Sequence, residues 1–137
     1  MNNKEIHLRR LNFWINNRCT LRCRLCGSGI PYFRESERYD MTVNDFKRTI
    51  RSVLGYGEEA GIIDSADSIE INGGEPLLNS SLPLILEEIL KYKSHFTKVR
   101  INTNGTIVPN KKLLDVLIKY NDMDTGYGLG GGGWLFI

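Results

Sequence analysis

The sequence predicts an α/β domain built from about three successive β-α units. Three observations carry that prediction. Three short apolar segments of strand character alternate with three segments of helical period, each strand ends in a polar or glycine-rich turn, and the spacing is that of parallel strands joined by crossover helices. Leu11 to Ile15 reads as the first strand, short and largely buried. A polar stretch from Asn16 to Asp40 follows, too long and too aperiodic to be a simple connection, so it reads as a functional loop. Thr42 then opens a helix, with Asp45 at capping-box spacing and Phe46, Ile50, Val53 and Leu54 on one face. Gly55 and Gly57 end it.

Ser68 to Asn72 alternates as a second strand and stops at Gly73-Gly74. Ser80 or Ser81 caps the next helix, Pro83 is tolerated in its first turn, and Leu82, Ile85, Leu86, Ile89 and Leu90 form its apolar face. Lys98 to Asn102 is the third strand and runs into Thr103-Asn104-Gly105. Asn110 caps a third helix, whose expected apolar residues are Leu113, Leu114, Leu117 and Ile118. Asn121 to Gly128 has the makings of a fourth strand. Two regions follow: a core over residues 1–128, and a tail over 129–137 with four consecutive glycines and an apolar end. Ordering a glycine run costs much entropy, so the tail reads as poorly ordered or foreign to the domain.

Composition narrows the function classes. A chain of 137 residues fits one domain. Its net charge of +2 gives no reason to expect nucleic acid or a membrane surface as partner. No apolar run reaches the roughly eighteen residues of a membrane span, and the polar first ten residues lack the core of a signal peptide. A cytoplasmic protein is the expectation. The cysteines are the exception to this ordinary profile. There are 3, all between Cys19 and Cys26. A disulfide framework would spread an even number along the chain, whereas clustered thiols in a reducing compartment bind metal or do redox chemistry.

The spacing is Cys19-x3-Cys23-x2-Cys26. Three thiolates on a short irregular loop can wrap one compact metal centre. A cubane iron–sulfur cluster normally takes four, so three leave one iron open to a small molecule. Zinc would need a fourth ligand, and neither histidine, His7 or His95, stands at zinc-finger spacing from the cysteines.

This cysteine pattern after a first strand, Gly73-Gly74-Glu75-Pro76 after the second and Asn102-Thr103-Asn104-Gly105 after the third resemble the three corresponding motifs of the radical S-adenosylmethionine (SAM) superfamily. Ile30-Pro31-Tyr32 and Thr103 to Pro109 further resemble SPASM-type and single 4Fe-4S cluster proteins. The resemblance covers roughly residues 8–120, and the aromatic residue usual before the third cysteine is Leu25 here. It implies a partial (β/α)6 TIM-like barrel, of which this chain holds the N-terminal part. It implies a [4Fe-4S] cluster on Cys19, Cys23 and Cys26, and SAM held by the main chain near Leu25, by Gly73, Gly74, Glu75 and Pro76, and by Thr103 and Asn104. It implies reductive cleavage of SAM to a 5′-deoxyadenosyl radical that abstracts hydrogen from a small-molecule or peptide substrate. A low-potential electron donor of flavodoxin or ferredoxin type would supply the electron.

From the residues themselves, Gly73 and Gly74 would let a ligand approach the backbone, and the turn could present carbonyls and the Glu75 carboxylate to a cation. Arg18, Arg22 and Arg24 read as a solvated loop face. Length sets the main tension. Six β-α units at roughly 30 residues each need on the order of 180 residues. A truncated, catalytically incomplete fragment that binds only a cluster, or a structural metal-binding module, are therefore the competing readings. Three parallel strands would also leave a sheet edge open to self-association, with helices covering both faces incompletely.

Overall fold

The computed structural model describes residues 5–121 and 135–136. Its central sheet has the order β1-β4-β5-β6, with β1 at His7–Trp14, β4 at Ser65–Asn72, β5 at Phe96–Ile101 and β6 at Leu135–Phe136. β1, β4 and β5 are parallel neighbours; β6 is antiparallel to β5. Helices α1 (Val43–Leu54), α2 (Leu82–Leu90) and α3 (Lys111–Asn121) connect or follow the strands. A small hairpin, β2 (Gly55–Tyr56) with β3 (Glu59–Ala60), lies between α1 and β4 and was not anticipated from the sequence. Its turn chemistry explains it: Gly55 and Gly57 both take positive φ, so they reverse the chain at the helix end.

All three parallel strands are longer at their N-terminal ends than the sequence pattern suggested. Register shows why the fold nonetheless has the expected polarity. Phe13 lies beside Ile71, and Ile71 beside Ile101, so one face of the sheet is apolar. That face packs with Phe46, Ile50 and Leu54 of α1, Ile85, Leu86 and Ile89 of α2, and Leu113, Val116 and Tyr120 of α3 in a single core. The Phe13 and Phe46 rings meet at 4.8 Å. All three helices therefore lie on one side of the sheet, a correction to the expectation that both sides would be partly covered. The opposite face carries Asn12, Glu70 and Arg100 side by side, then Trp14 beside Asn72. There Arg100 pairs with Glu70 at 2.9 Å, and an amide ladder links Asn12, Asn72 and Asn102.

The helix starts follow their local chemistry. Thr42 Oγ1 accepts from the Asp45 N–H at 3.1 Å and donates to the Asp45 carboxylate at 2.7 Å. Asn110 Oδ1 accepts from the Leu113 N–H. Ser81 is the N-cap of α2, but without a side-chain capping bond. In α3 the buried stripe is Leu113, Val116 and Tyr120, while Leu114 and Ile118 are exposed. The Tyr120 hydroxyl donates to the Leu86 carbonyl at 2.6 Å, which lets a polar tip close the stripe. Asn121 ends α3, and residues 122–128 of the anticipated fourth strand lie outside the described residues. So do residues 129–134 and 137 of the tail; Leu135 and Phe136 pair with Ile101 and Arg100, taking two positions of the β5 edge.

Candidate functional site

Parallel strands in one register bring their C-terminal ends to the same edge of the sheet, and there the three motifs meet. The cysteine loop leaves β1, Gly73 to Pro76 leaves β4, and Thr103 to Gly105 leaves β5. The neck of the cysteine loop is closed by asparagines and one arginine. Asn16 forms a bridge to Asp40, and the Met41 N–H donates to the Ile15 carbonyl at 2.7 Å. Asn17 accepts from the Tyr39 N–H at 2.7 Å and donates to the Glu37 carbonyl at 2.7 Å. Arg38 donates to the carbonyls of Asn17 and Ile30. Asn79 reaches in from beyond the second motif and donates to the carbonyls of Ile15 and Met41. The long loop is thus anchored at both ends, which lowers the entropy lost when its middle takes up a ligand.

Glu75 joins the three motifs. Its side chain is 0% exposed. The carboxylate accepts from the Leu77 N–H (2.9 Å), the Thr103 hydroxyl (2.9 Å to each oxygen) and the Asn104 N–H (2.7 Å). The main chain of the same residue faces the cysteine loop: the Glu75 N–H donates to the Arg18 carbonyl at 2.7 Å, and Asn16 Nδ2 donates to the Glu75 carbonyl at 2.9 Å. A buried carboxylate with this many donors is a structural key between loops. Its side chain is turned away from solvent toward the third motif.

The glycines have a nearer reason than ligand approach. A Cβ on Gly73 would stand 2.1 Å from Asn16 Oδ1, and one on Gly74 would stand 2.1 Å from the Arg18 carbonyl oxygen. The space a side chain needs is filled by the cysteine loop itself. Arg18 is likewise more than part of a solvated face: it pairs with Asp40 at 2.6 Å and donates to the Leu78 carbonyl at 3.1 Å. Arg22 and Arg24 are exposed as expected.

Cys19 and Cys26 are half-buried, Cys23 is exposed, and all three thiols are free. Leu25 projects into solvent with 98% exposure. Cys19 Sγ accepts from the Leu21 N–H and from Asn104 Nδ2, each at 3.4 Å. Among the described residues no three His, Cys, Asp or Glu side chains are gathered closely enough to hold a metal ion. The donor set fits an iron–sulfur cluster in kind: three unpaired thiols on one segment, with sulfur ligands that iron prefers. None of the contacts that hold the loop neck uses a cysteine side chain, so the thiols can close on a cluster without undoing the anchors.

Asn16, Asn17 and Asn79 are the residues of this site that the sequence reading missed. Asn16 and Asn79 are buried polar residues flanking apolar strands or helices, and such residues need specific partners. That position, immediately after β1 or before α2, is the signal that could have marked them.

An α/β sheet that gathers a three-cysteine loop, a Gly-Gly-Glu-Pro turn and a Thr-Asn-Gly turn at one edge is the arrangement of a cluster-dependent SAM protein. Residues 15–130 match the radical SAM superfamily, and the chain belongs to that superfamily, whose members bind a 4Fe-4S cluster and SAM. Among its relatives is a GTP 3′,8-cyclase of Alkaliphilus oremlandii, 24% identical over 109 residues that cover 77% of this chain and 31% of that protein. A GTP 3′,8-cyclase of Synechocystis is 26% identical over 122 residues, covering 89% of this chain and 33% of the other. A probable GTP 3′,8-cyclase of Methanococcus aeolicus is 29% identical over 113 residues, covering 79% and 32%. The chain spans about a third of the length of these relatives. Their names lend no support to the finer placement near SPASM-type proteins. No helix among the described residues is long and apolar enough to cross a membrane.

Proposed function

We propose that this chain is the cluster-binding part of a radical SAM enzyme, with Cys19, Cys23 and Cys26 as the ligands of a [4Fe-4S] cluster. The observation that carries the reading is Glu75, whose buried carboxylate and main chain tie the second and third motifs to the cysteine loop. When bound, the cluster and SAM supply a one-electron cleavage of the SAM sulfonium, for hydrogen abstraction from substrate. The protein's part is to hold and orient. The N–H groups of Gly74 and Glu75 and the Glu75 carbonyl are spent on Asn16 and Arg18. Among the described residues the carbonyls of Gly73 and Gly74 accept no hydrogen bond, so they would receive the ammonium of SAM, and Pro76 keeps Glu75 extended so that the turn stays presented. Thr103 and Asn104 would form the neighbouring wall, and the main chain near Leu25 would hold the adenine.

In this reading the described sheet is the N-terminal part of a partial (β/α)6 barrel. Further strands would extend it beyond β5 and enclose the site, which a water-excluding radical chemistry needs. The polar face opposite the helices, with the Glu70–Arg100 pair and the asparagine ladder, would then line the interior. The substrate is a small molecule or peptide; GTP, named for the relatives, is the first to try. A flavodoxin- or ferredoxin-type donor would deliver the electron, in the reducing cytoplasm where three free thiols persist. The competing reading, a fragment that carries a cluster without turnover, is favoured by one observation: β6 pairs antiparallel where a further barrel strand would be parallel.

Anaerobic reconstitution followed by electron paramagnetic resonance, with and without SAM, tests the proposal. The expected result is a reduced [4Fe-4S] signal that shifts when SAM is added. A cluster signal indifferent to SAM would transfer support to the fragment reading. Loss of no iron on replacing Cys19, Cys23 and Cys26 together by Ala would refute the ligand assignment.

A further inference from the structure

We infer that Asn104 is a positioning residue for the iron–sulfur centre: its side-chain amide donates to the Cys19 sulfur and raises the reduction potential of the cluster that this sulfur ligates. The inference rests on the ligand assignment proposed above and adds a residue that acts on it. Three features of the structure support it.

The first is the contact, Asn104 Nδ2 to Cys19 Sγ at 3.4 Å across 85 positions of sequence. The second is that the amide cannot turn round without losing partners. Asn104 Oδ1 accepts from the Thr106 N–H at 3.0 Å and from the Thr106 hydroxyl at 2.7 Å, while Nδ2 also donates to the Thr20 hydroxyl oxygen at 3.1 Å. An amide flip would put the NH2 group against the Thr106 N–H donor, so the donor end faces the sulfur. The third is that the backbone beneath it is fixed. The Asn104 N–H donates to the buried Glu75 carboxylate, and Gly105 takes positive φ to complete the turn.

The effect follows from charge. Each thiolate donates electron density to the cluster, and reduction adds one negative charge to the ensemble. An N–H dipole pointing at a ligand sulfur stabilises the more negative, reduced state more than the oxidised one, so the midpoint moves to more positive potential. The Leu21 N–H on the same sulfur acts in the same sense, but it belongs to the loop itself. Asn104 comes from a different strand end. It therefore makes the potential depend on how firmly the third motif is docked, with Glu75 as the clasp.

The test is a redox titration of the reconstituted full chain, followed by the paramagnetic resonance signal, for the wild type, Asn104→Ala and Asn104→Asp. Asn104 is only half-buried, so both variants should fold, and circular dichroism checks this. Ala removes the donor. Asp keeps the Oδ1 acceptor for Thr106 but replaces the donor by a negative charge. The expected order of midpoints, from least to most negative, is wild type, Ala, Asp. Equal midpoints in all three, or a shift of Ala to more positive potential, would overturn the inference while leaving the ligand assignment standing. If the variants assembled no cluster although the wild type did, Asn104 would serve assembly and the tuning role would be refuted. Absence of a cluster from the wild type itself would refute the underlying assignment, a distinct outcome.

Discussion

Removing the Glu75 carboxylate should loosen the second motif from the third. In Glu75→Ala the Leu77 N–H, the Asn104 N–H and the Thr103 hydroxyl lose their acceptor. A hydrogen bond to a charged group contributes about 1.5–3 kcal/mol, and a buried donor left unpaired costs about 1–3 kcal/mol. The three donors are partly exposed once the side chain is gone, so water replaces part of what is lost. We expect a net loss of about 3–5 kcal/mol, similar to breaking one partner of a buried ionic contact. Against a total stability of about 5–15 kcal/mol for a domain of this size, that is a large fraction. Glu75→Gln keeps the shape but turns an NH2 group toward either the Leu77 or the Asn104 N–H, and should lose about 1–3 kcal/mol. Urea unfolding followed by circular dichroism reads both values, and iron content after reconstitution reads the consequence for the cysteine loop. A loss below about 1 kcal/mol for Glu75→Ala, with full iron content, would refute the claim that this carboxylate joins the motifs.

Other consequences can be checked in the same preparations. Gly74→Ala sets a methyl group 2.1 Å from the Arg18 carbonyl oxygen, a backbone atom that cannot swing away. It should cost about 1–3 kcal/mol by overpacking and lower iron uptake, whereas Gly27→Ala, with open space around its Cβ, should do neither. Hydrogen bonding to Thr42, and then the nearby Arg48, holds the Asp45 carboxyl below its ordinary range. A carboxyl depressed on folding stabilises above its unfolded pKa and loses that contribution as pH falls through the folded value. The difference in melting temperature between wild type and Asp45→Asn should therefore be largest near pH 7 and shrink below about pH 4; a difference independent of pH would contradict the capping electrostatics. Thr42→Ala should lower stability by about 1 kcal/mol through the lost cap, read as a shift in the urea midpoint.

Much of this architecture was legible because it depends on local pattern. The alternation of Ile69 and Ile71 with Glu70 and Asn72 identified β4, and the capping chemistry of Thr42 and Asn110 located two helix starts. Three cysteines within one loop, each motif after a strand, were enough to suggest the chemistry. Local pattern failed where burial was decided elsewhere. Leu114 and Ile118 look like core residues, yet the stripe that faces α2 is Leu113, Val116 and Tyr120, because the angle at which α3 docks selects the face. The β2–β3 hairpin depends on two glycines that read equally well as a helix stop.

Sequence alone determined the order of the three β-α units, their parallel polarity and the chemical character of the three motifs, since these follow from residue type and short-range spacing. Only the tertiary structure decided what the motif residues touch. Glu75 has the look of an exposed ligand in Gly-Gly-Glu-Pro. From loops far apart in sequence, Asn16 and Arg18 hold its main chain and Thr103 and Asn104 donate to its carboxylate, and together they bury it. The same long-range docking makes Gly73 and Gly74 glycines, turns Arg18 inward, and sets the amide of Asn104 on the sulfur of Cys19. Contacts of this kind join segments 28–85 positions apart, and no local pattern encodes which of them will meet.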